Sequence, residues 1–150
     1  MRHTKWILIM CLLVLMGCTT FKGLKPIYPA VGDPNYPKMV DSLQPTFRWE
    51  PSSDPDVTYD LIVHEGIKEE SFWKGTRRAM GREVYYREGL KGTEHRIEEP
   101  LKPGMEYYWS VRIRRGQNVS DWSVYNYFLF LGTGYVEKSN YPFMFKTPKE

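Results

Sequence analysis

Cysteine is scarce in this chain of 150 residues, which contains only two. Cys11 lies within an apolar N-terminal run and Cys18 directly follows it, so the remaining sequence has none. This excludes a disulfide within the body, a Cys-based metal site and a Cys nucleophile there. An antibody-type immunoglobulin domain, whose two sheets are joined by a disulfide, is excluded for the same reason.

Catalytic signatures are also missing from the sequence. It contains no Gly-x-Ser-x-Gly, no phosphate-cradling glycine loop and no His-Glu-x-x-His. Carboxylates are adjacent at positions 69–70 and 98–99, but neighbouring side chains diverge in a strand or helix and do not converge on one substrate. We therefore expect no enzyme, no catalytic residues, no resident metal and no cofactor.

Charge of one sign does not dominate the chain. The formal net charge is +3, and Arg2 and Lys5 precede the N-terminal apolar run. Without these two, 19 basic residues face 18 acidic ones. This balance argues against a nucleic-acid partner recruited by overall electrostatics.

The N-terminus has the pattern of an export signal. A basic head precedes about a dozen apolar residues, which is too short for a transmembrane helix of roughly 20 residues. Leu15-Met16-Gly17-Cys18 resembles a bacterial lipobox, which implies lipidation of Cys18 after removal of residues 1–17. An ordinary signal peptide with an incidental cysteine is the alternative. Thr19 in place of Asp implies, by the same resemblance, sorting to the outer membrane and a place in the cell envelope.

The segment after the lipobox is rich in residues that break regular structure. Several prolines and glycines lie between positions 18 and 36, and no hydrophobic period is evident. We expect residues 18–36 to form an extended tether. The folded domain is then expected over residues 37–148, a length typical of one domain.

A period-two pattern dominates the stretch from Leu101 to Ile113. A Pro103-Gly104 turn precedes it, after which Tyr107, Trp109, Val111 and Ile113 fall on one face and Tyr108, Ser110, Arg112 and Arg114 on the other. This predicts a strand with one buried and one wet face. Leu-x-Pro-Gly-x-x-Tyr-x-x-x-Val resembles the tyrosine corner at strand F of fibronectin type III domains, which implies a hydrogen bond from the Tyr107 hydroxyl to upstream backbone.

Other motifs resemble the same family and imply an all-β, fibronectin type III-like (Ig-like) sandwich of seven strands. Pro-x-Phe-x-Trp around Trp49 resembles strand B, and Ser-Asp-Trp-Ser around Trp122 resembles the motif after strand F, which implies stacking of Trp122 on Arg112 or Arg114. Residues 57–65 alternate as strand C, 83–87 as strand C′ and 94–98 as strand E with Ile97 inward. The residues expected to carry this structural signature are Trp49, Leu101, Pro103, Gly104, Tyr107, Trp109, Val111 and Trp122.

Two regions depart from the family pattern. Residues 66–82 form a long connection in which a helical turn or two is expected around 68–80. Near the C-terminus, residues 125–131 and 141–148 compete for strand G, and we favour one strand interrupted by an insertion at about 132–141. Asp54, Asp56 and Asp60 suit calcium, but no EF-hand pattern accompanies them and solvated turn residues are favoured.

The long connection carries the candidate binding surface, because function on a rigid sandwich usually lies on its loops. Its residues suit an acidic partner, lipid headgroups or a glycan, and a local lid over the sheet is the alternative. The candidate residues are Phe72, Trp73, Lys74, Arg77, Arg78 and Arg82 of the connection, together with Tyr85 and Tyr86 of strand C′ directly after it.

Two functions of different class are consistent with these features. The first is a lipid-anchored envelope protein with a non-catalytic protein-interaction or scaffold domain, which a sheet edge would serve by accepting a partner strand. The second is a carbohydrate- or peptidoglycan-binding module with stacking platforms at Trp73, Tyr85, Tyr86 and Tyr108. Uncovered strand edges or apolar patches favour the first, and exposed coplanar aromatics favour the second.

Overall fold

The computed structural model describes residues 18–33, 35–71, 75–131 and 134–149. The described residues contain strands and no helices, so the chain is all-β as expected. No helix in this part of the chain is long and apolar enough to cross a membrane. The strands are β1 (Cys18–Lys22), β2 (Pro26–Tyr28), β3 (Lys38–Met39), β4 (Thr46–Trp49), β5 (Thr58–Ser71), β6 (Gly75–Leu90), β7 (Glu94–Arg96), β8 (Glu106–Arg115), β9 (Asn118–Val119), β10 (Val124–Leu131), β11 (Gly134–Tyr141) and β12 (Phe143–Lys146).

Three sheets organise these strands. The large sheet has the order β3-β12-β8-β5-β6, with β9 also paired to β8. The small sheet has the order β2-β4-β7, and a third sheet, here called the arm, has the order β1-β10-β11. All described pairings are antiparallel except that of β3 with β12.

The core lies between the large and small sheets. Phe47 of the small sheet contacts Trp109 and Phe145 of the large sheet at centroid distances of 4.9 and 5.5 Å. Alternation produces this arrangement, because every second residue of a strand points to the same face. Trp49, Leu61 and the other members of the cluster are almost fully buried, and the burial of so many large apolar side chains is the main source of stability.

The turn before β8 has the geometry that its sequence predicts. Gly104 adopts a φ of +67°, which glycine tolerates without steric cost. The Tyr107 hydroxyl accepts a hydrogen bond from the Lys102 N–H at 3.0 Å. This confirms the expected link from Tyr107 to upstream backbone. Trp49, Trp109 and Val111 are buried as predicted, and Ile97 of the expected strand E is 1% exposed.

The expected tether is wrong for its first part. Residues 18–22 pair with 128–124 in the arm, and β2 pairs with β4 in the small sheet. Leu24 is buried in the core, and Phe21 contacts Phe143 at 6.3 Å. The prolines and glycines interrupt the strands of this segment without separating it from the body, so the fold of the described residues begins at Cys18.

The helical turns expected around 68–80 are also wrong. β5 and β6 form one long hairpin in which residues 66–71 pair with 80–75. The segment lacks a single period-two face because both of its faces are largely exposed. Phe72, Trp73 and Lys74 lie outside the described residues.

The two segments that compete for strand G belong to different sheets. β12 pairs with β8 and thus takes the position beside strand F that is expected for strand G, with β3 paired to its other side. β10 and β11 form a hairpin with each other and pair with β1, so the insertion predicted at 132–141 begins earlier, at Val124.

Candidate functional site: an apolar cleft at the base of the arm

An apolar cleft opens on the face of the large sheet that points away from the core, at the base of the arm. Its volume is about 190 Å³. Strands β5, β6 and β8 supply its floor, and its wall comes from the start of β10 with the residues before it and from the end of β11 with the residue after it. The lining residues are Ile62, His64, Met80, Tyr108, Trp109, Ser110, Trp122, Val124, Asn140 and Pro142.

The cleft exists because the base of the arm covers part of a face expected to be wet. Tyr108 and Ser110 are 3% and 4% exposed, which corrects the prediction for both residues. The Ser110 hydroxyl donates to the Ser123 carbonyl at 2.6 Å, so the link that carries the chain from β9 to β10 is fixed against β8. Burial raises the pKa of Tyr108 to about 12.

His64 is a second titratable group of the cleft, on the β5 part of its floor. Burial disfavours its charged form and lowers its pKa, against the opposing effect of the Glu83 carboxylate. It is therefore a neutral imidazole near pH 7, and the cleft offers an apolar surface with one polar edge. No group of His, Cys, Asp and Glu in the described ranges has an arrangement that could hold a metal ion.

A polar cluster borders the cleft and supports Trp122. Asp60 is fully buried and accepts hydrogen bonds from Arg112 Nε at 2.8 Å and from Arg114 Nε at 2.7 Å. Burial opposes ionisation of Asp60, but the bonds from Arg114 and Arg112 outweigh it and hold its pKa below the usual value.

The Arg112 guanidinium lies 4.4 Å from the centroid of the Trp122 ring, which confirms the predicted cation–π pair. Asp60 is thus a buried ion-pair partner, while Asp54 of the preceding turn pairs with Arg115. These contacts give both carboxylates a structural place in the fold.

The candidate binding residues on β6 do not form one surface. Tyr85 and Tyr86 pair with Val63 and Ile62 respectively, so they point to opposite faces of the large sheet. Tyr85 is hydrogen-bonded to His95 of β7 in the small sheet and to Glu98, which follows that strand. Tyr86 lies beside the Asp60 cluster and contacts the edge of Trp122 at 6.4 Å.

The arginines of the same set are engaged in ion pairs. Arg77 meets Glu69 at 2.8 Å, Arg78 meets Glu106 at 2.8 Å and Arg82 meets Glu65 at 3.0 Å. The hydrogen bond from Arg82, joined by one from Lys102, lowers the pKa of Glu65 to about 2. These pairs leave little uncompensated positive charge for an acidic partner.

The lining residues of the apolar cleft were not predicted from sequence. Ile62, Met80, Val124 and Pro142 meet there only through packing between distant segments.

A second depression lies on the outer face of the small sheet and is polar. Its volume is about 600 Å³, and it is lined by Tyr28, Asp41, Ser42, Gln44, Pro45, Thr46, Arg48, Glu94 and Arg96. Arg48 lies opposite both Tyr28 and Glu94 in the sheet, and its guanidinium sits 5.5 Å from the Tyr28 ring. Two carboxylates and two guanidinium groups make this groove electrically balanced.

No protein-family model, no curated protein and no solved structure matches this chain.

Proposed function

We propose that this chain is a lipid-anchored cell-envelope protein, sorted to the outer membrane, whose fibronectin type III-like body is a non-catalytic protein-interaction domain. The lipobox resemblance at Cys18 supports the anchor. The balanced charge and the missing catalytic motifs support a binding role over an enzymatic one.

Strand order supports the fibronectin type III-like architecture. The segments assigned from sequence to strands B and E are β4 and β7, which pair in the small sheet. Those assigned to C, C′ and F are β5, β6 and β8, which lie side by side in the large sheet. The Tyr107 hydrogen bond and the Trp122–Arg112 stack add two contacts that the resemblance implies.

The apolar cleft carries the proposed protein-interaction role. At about 190 Å³ it is smaller than the roughly 300–1,000 Å³ typical of small-molecule sites, but comparable to the roughly 150 Å³ cavity that holds benzene. It therefore suits one bulky apolar side chain of a partner. Hot spots of protein interfaces commonly consist of such anchors in desolvated pockets, surrounded by polar contacts. Here Glu83, opposite His64 in the sheet, and the Asp60 cluster, whose Arg112 stacks on Trp122, supply polar groups beside the cleft.

The edge of the large sheet adds a second feature suited to a protein partner. β6 ends the strand order, and register shifts against β5 interrupt it near Val84, Gly81 and Gly89. Such bulges discourage strand addition over most of β6. Its first six residues, Gly75–Met80, pair regularly with β5, and this part of the edge leads to the cleft at Met80.

Photo-crosslinking in the native envelope tests this role. A crosslinking amino acid is placed at Met80, which is 52% exposed in the cleft, or at Met39, a matched control that is 60% exposed on β3. We expect a defined polypeptide to be captured from position 80 and not from position 39. We also expect Met80→Glu to abolish its co-purification and Met39→Glu to preserve it. Capture of no polypeptide at position 80, or equal co-purification with both variants, would contradict the proposed role.

The polar groove favours saccharide binding as a second candidate function. The aromatics first expected to stack on sugars do not suit that task, since Tyr108 is buried and Tyr85 and Tyr86 point to opposite faces. The groove instead combines planar guanidinium, carboxylate and amide groups, which can form paired hydrogen bonds with hydroxyls. Titration with a β-1,4-linked N-acetylglucosamine hexamer should shift amide resonances of residues 46–48 and 94–96. Unchanged resonances there would count against this second candidate.

A further inference from the structure

The arm places Cys18 at a defined height along the β10–β11 hairpin. Cys18 pairs with Phe128, and Phe128 pairs with Glu137 on the other side. These three residues therefore form one row across the three strands. Three further rows continue toward the end of the hairpin beyond this one, pairing 129 with 136, 130 with 135 and 131 with 134.

The residue types change abruptly at the row of Cys18. The rows beyond it consist of Leu129, Phe130, Leu131, Gly134, Tyr135 and Val136, none of which is charged. Charge begins in the row of Cys18 with Glu137, and Lys138 follows in the next row opposite Tyr127. A strand that is apolar on both faces is suited to an apolar environment on both faces, and in water it is an aggregation hazard.

The base of the arm is fixed to the body of the protein. Tyr125 is 1% exposed and lies 6.3 Å from Phe143 of the core, and Tyr127 donates to Asp33 at 3.4 Å. In the part of the chain that the structure describes, no strand of the other two sheets pairs with the arm. Along the arm, the three apolar rows therefore lie on the opposite side of the Cys18 row from the attached base.

The length of this apolar end matches the depth of a membrane interface. Three residues of an antiparallel strand advance about 10 Å beyond Cys18. Elements that lie in the membrane interface bury their apolar part roughly 5–10 Å into the headgroup and acyl boundary. Acyl chains on Cys18 would bring the row of Cys18 to the bilayer surface, with the three apolar rows on the lipid side and Glu137 and Lys138 on the water side.

We propose that the end of the β10–β11 hairpin inserts into the phospholipid bilayer beside the acyl chains of Cys18, as a second membrane contact. Because the placement starts from an acylated Cys18, it rests on the proposed anchor. Two contacts on neighbouring strands fix the orientation of the arm, whereas acyl chains on a free tether would leave the body free to rotate. Aromatic residues such as Tyr135 are typical of the membrane–water interface.

Fluorescence quenching by lipids tests the insertion. The lipidated protein, which begins at Cys18, is reconstituted in vesicles of phosphatidylethanolamine and phosphatidylglycerol, with or without lipids that carry quenchers in the acyl region. An environment-sensitive dye is attached at Phe130→Cys or, as a matched control, at Lys91→Cys in the exposed connection between β6 and β7. We expect a blue shift and a loss of emission at position 130 and neither at position 91.

The mass of the N-terminal peptide is measured on the same sample, so that the anchor and the insertion are judged separately. Acylated Cys18 with an unquenched dye at position 130 overturns the insertion and keeps the anchor. Unmodified Cys18 with a quenched dye overturns the anchor and supports membrane contact by the hairpin. Unmodified Cys18 with an unquenched dye, or equal quenching at positions 130 and 91, overturns the insertion.

Discussion

Replacing the buried carboxylate Asp60 with asparagine tests how the outer face of the large sheet is held together. Asp60 receives two hydrogen bonds from Arg114, at 2.7 and 2.9 Å, and one from Arg112 at 2.8 Å. The backbone N–H of Gly89 adds a fourth at 3.2 Å. Asparagine keeps the shape but retains one acceptor oxygen, and its amide hydrogens oppose a guanidinium.

The expected loss follows from these contacts. A hydrogen bond to a charged group contributes about 1.5–3 kcal/mol, and removing one partner of a buried ion pair costs about 3–5 kcal/mol. Arg112 and Arg114 keep about a fifth of their side-chain surface in water, which places Asp60→Asn at the lower end of that range. We expect the free energy of unfolding to fall by about 3 kcal/mol in urea titrations, with an unchanged m-value.

Asp56→Asn, in an exposed turn, is the control and should change stability by less than about 0.5 kcal/mol. Acidification gives an independent check, because the pKa of Asp60 is lowered in the folded state. The stability that ionised Asp60 contributes is complete above about pH 4, its pKa in the unfolded state, and is lost as the pH falls through its lower pKa in the folded state. The stability gap between the wild type and Asp60→Asn should therefore narrow below about pH 4. A loss below about 1 kcal/mol at pH 7, or a gap that does not narrow in acid, would refute this reasoning.

Three further outcomes are expected. Tyr107→Phe should lower the free energy of unfolding by about 1–3 kcal/mol, because the Lys102 N–H loses its acceptor, and unchanged urea stability would contradict this. Burial lowers the pKa of His64 in the folded state, so the stability of the protein should decrease as the pH falls below about 6.5, the pKa of the unfolded state. In thermal melts at pH 5 and 7, His64→Gln should show a smaller decrease than the wild type. An identical decrease in both proteins would count against this role of His64. Cys18→Ser should abolish incorporation of labelled palmitate and release the protein from the membrane fraction, and continued labelling would disprove the anchor site.

Sequence pattern was sufficient for most of the sandwich. Strands β4, β7 and β8 and the first part of β5, up to Glu65, lie where alternation predicts them, because each has one face in the core and the other face outside it. The Tyr107 hydrogen bond was expected from the resemblance of residues 101–111 to a tyrosine corner, and its partner lies five residues away. The Trp122–Arg112 contact was predicted from a resemblance, and the structure places the two groups together.

The candidate site could not be predicted in the same way. Ile62, Met80 and Pro142 come together in the cleft from segments that are far apart in sequence, so no local hydrophobic periodicity predicts that they meet. Tyr108 was assigned to a wet face because alternation distinguishes the two faces of a strand but does not reveal what covers the second face. The arginines of β6 were predicted as a charged surface, yet their carboxylate partners come from β5 and from the start of β8.

The sequence by itself determined what depends on neighbouring residues: the all-β class, the core faces of the central strands, the Pro103-Gly104 turn and the apolar character of residues 127–131. Only the tertiary structure decided that residues 18–22 join the arm, that 66–71 pair with 80–75 and that β12 lies beside β8. These choices depend on hydrogen bonds between strands up to about a hundred residues apart, and several strands compete for each edge with similar local preference. Packing of the whole chain selects among them, because only one pairing buries the apolar faces together.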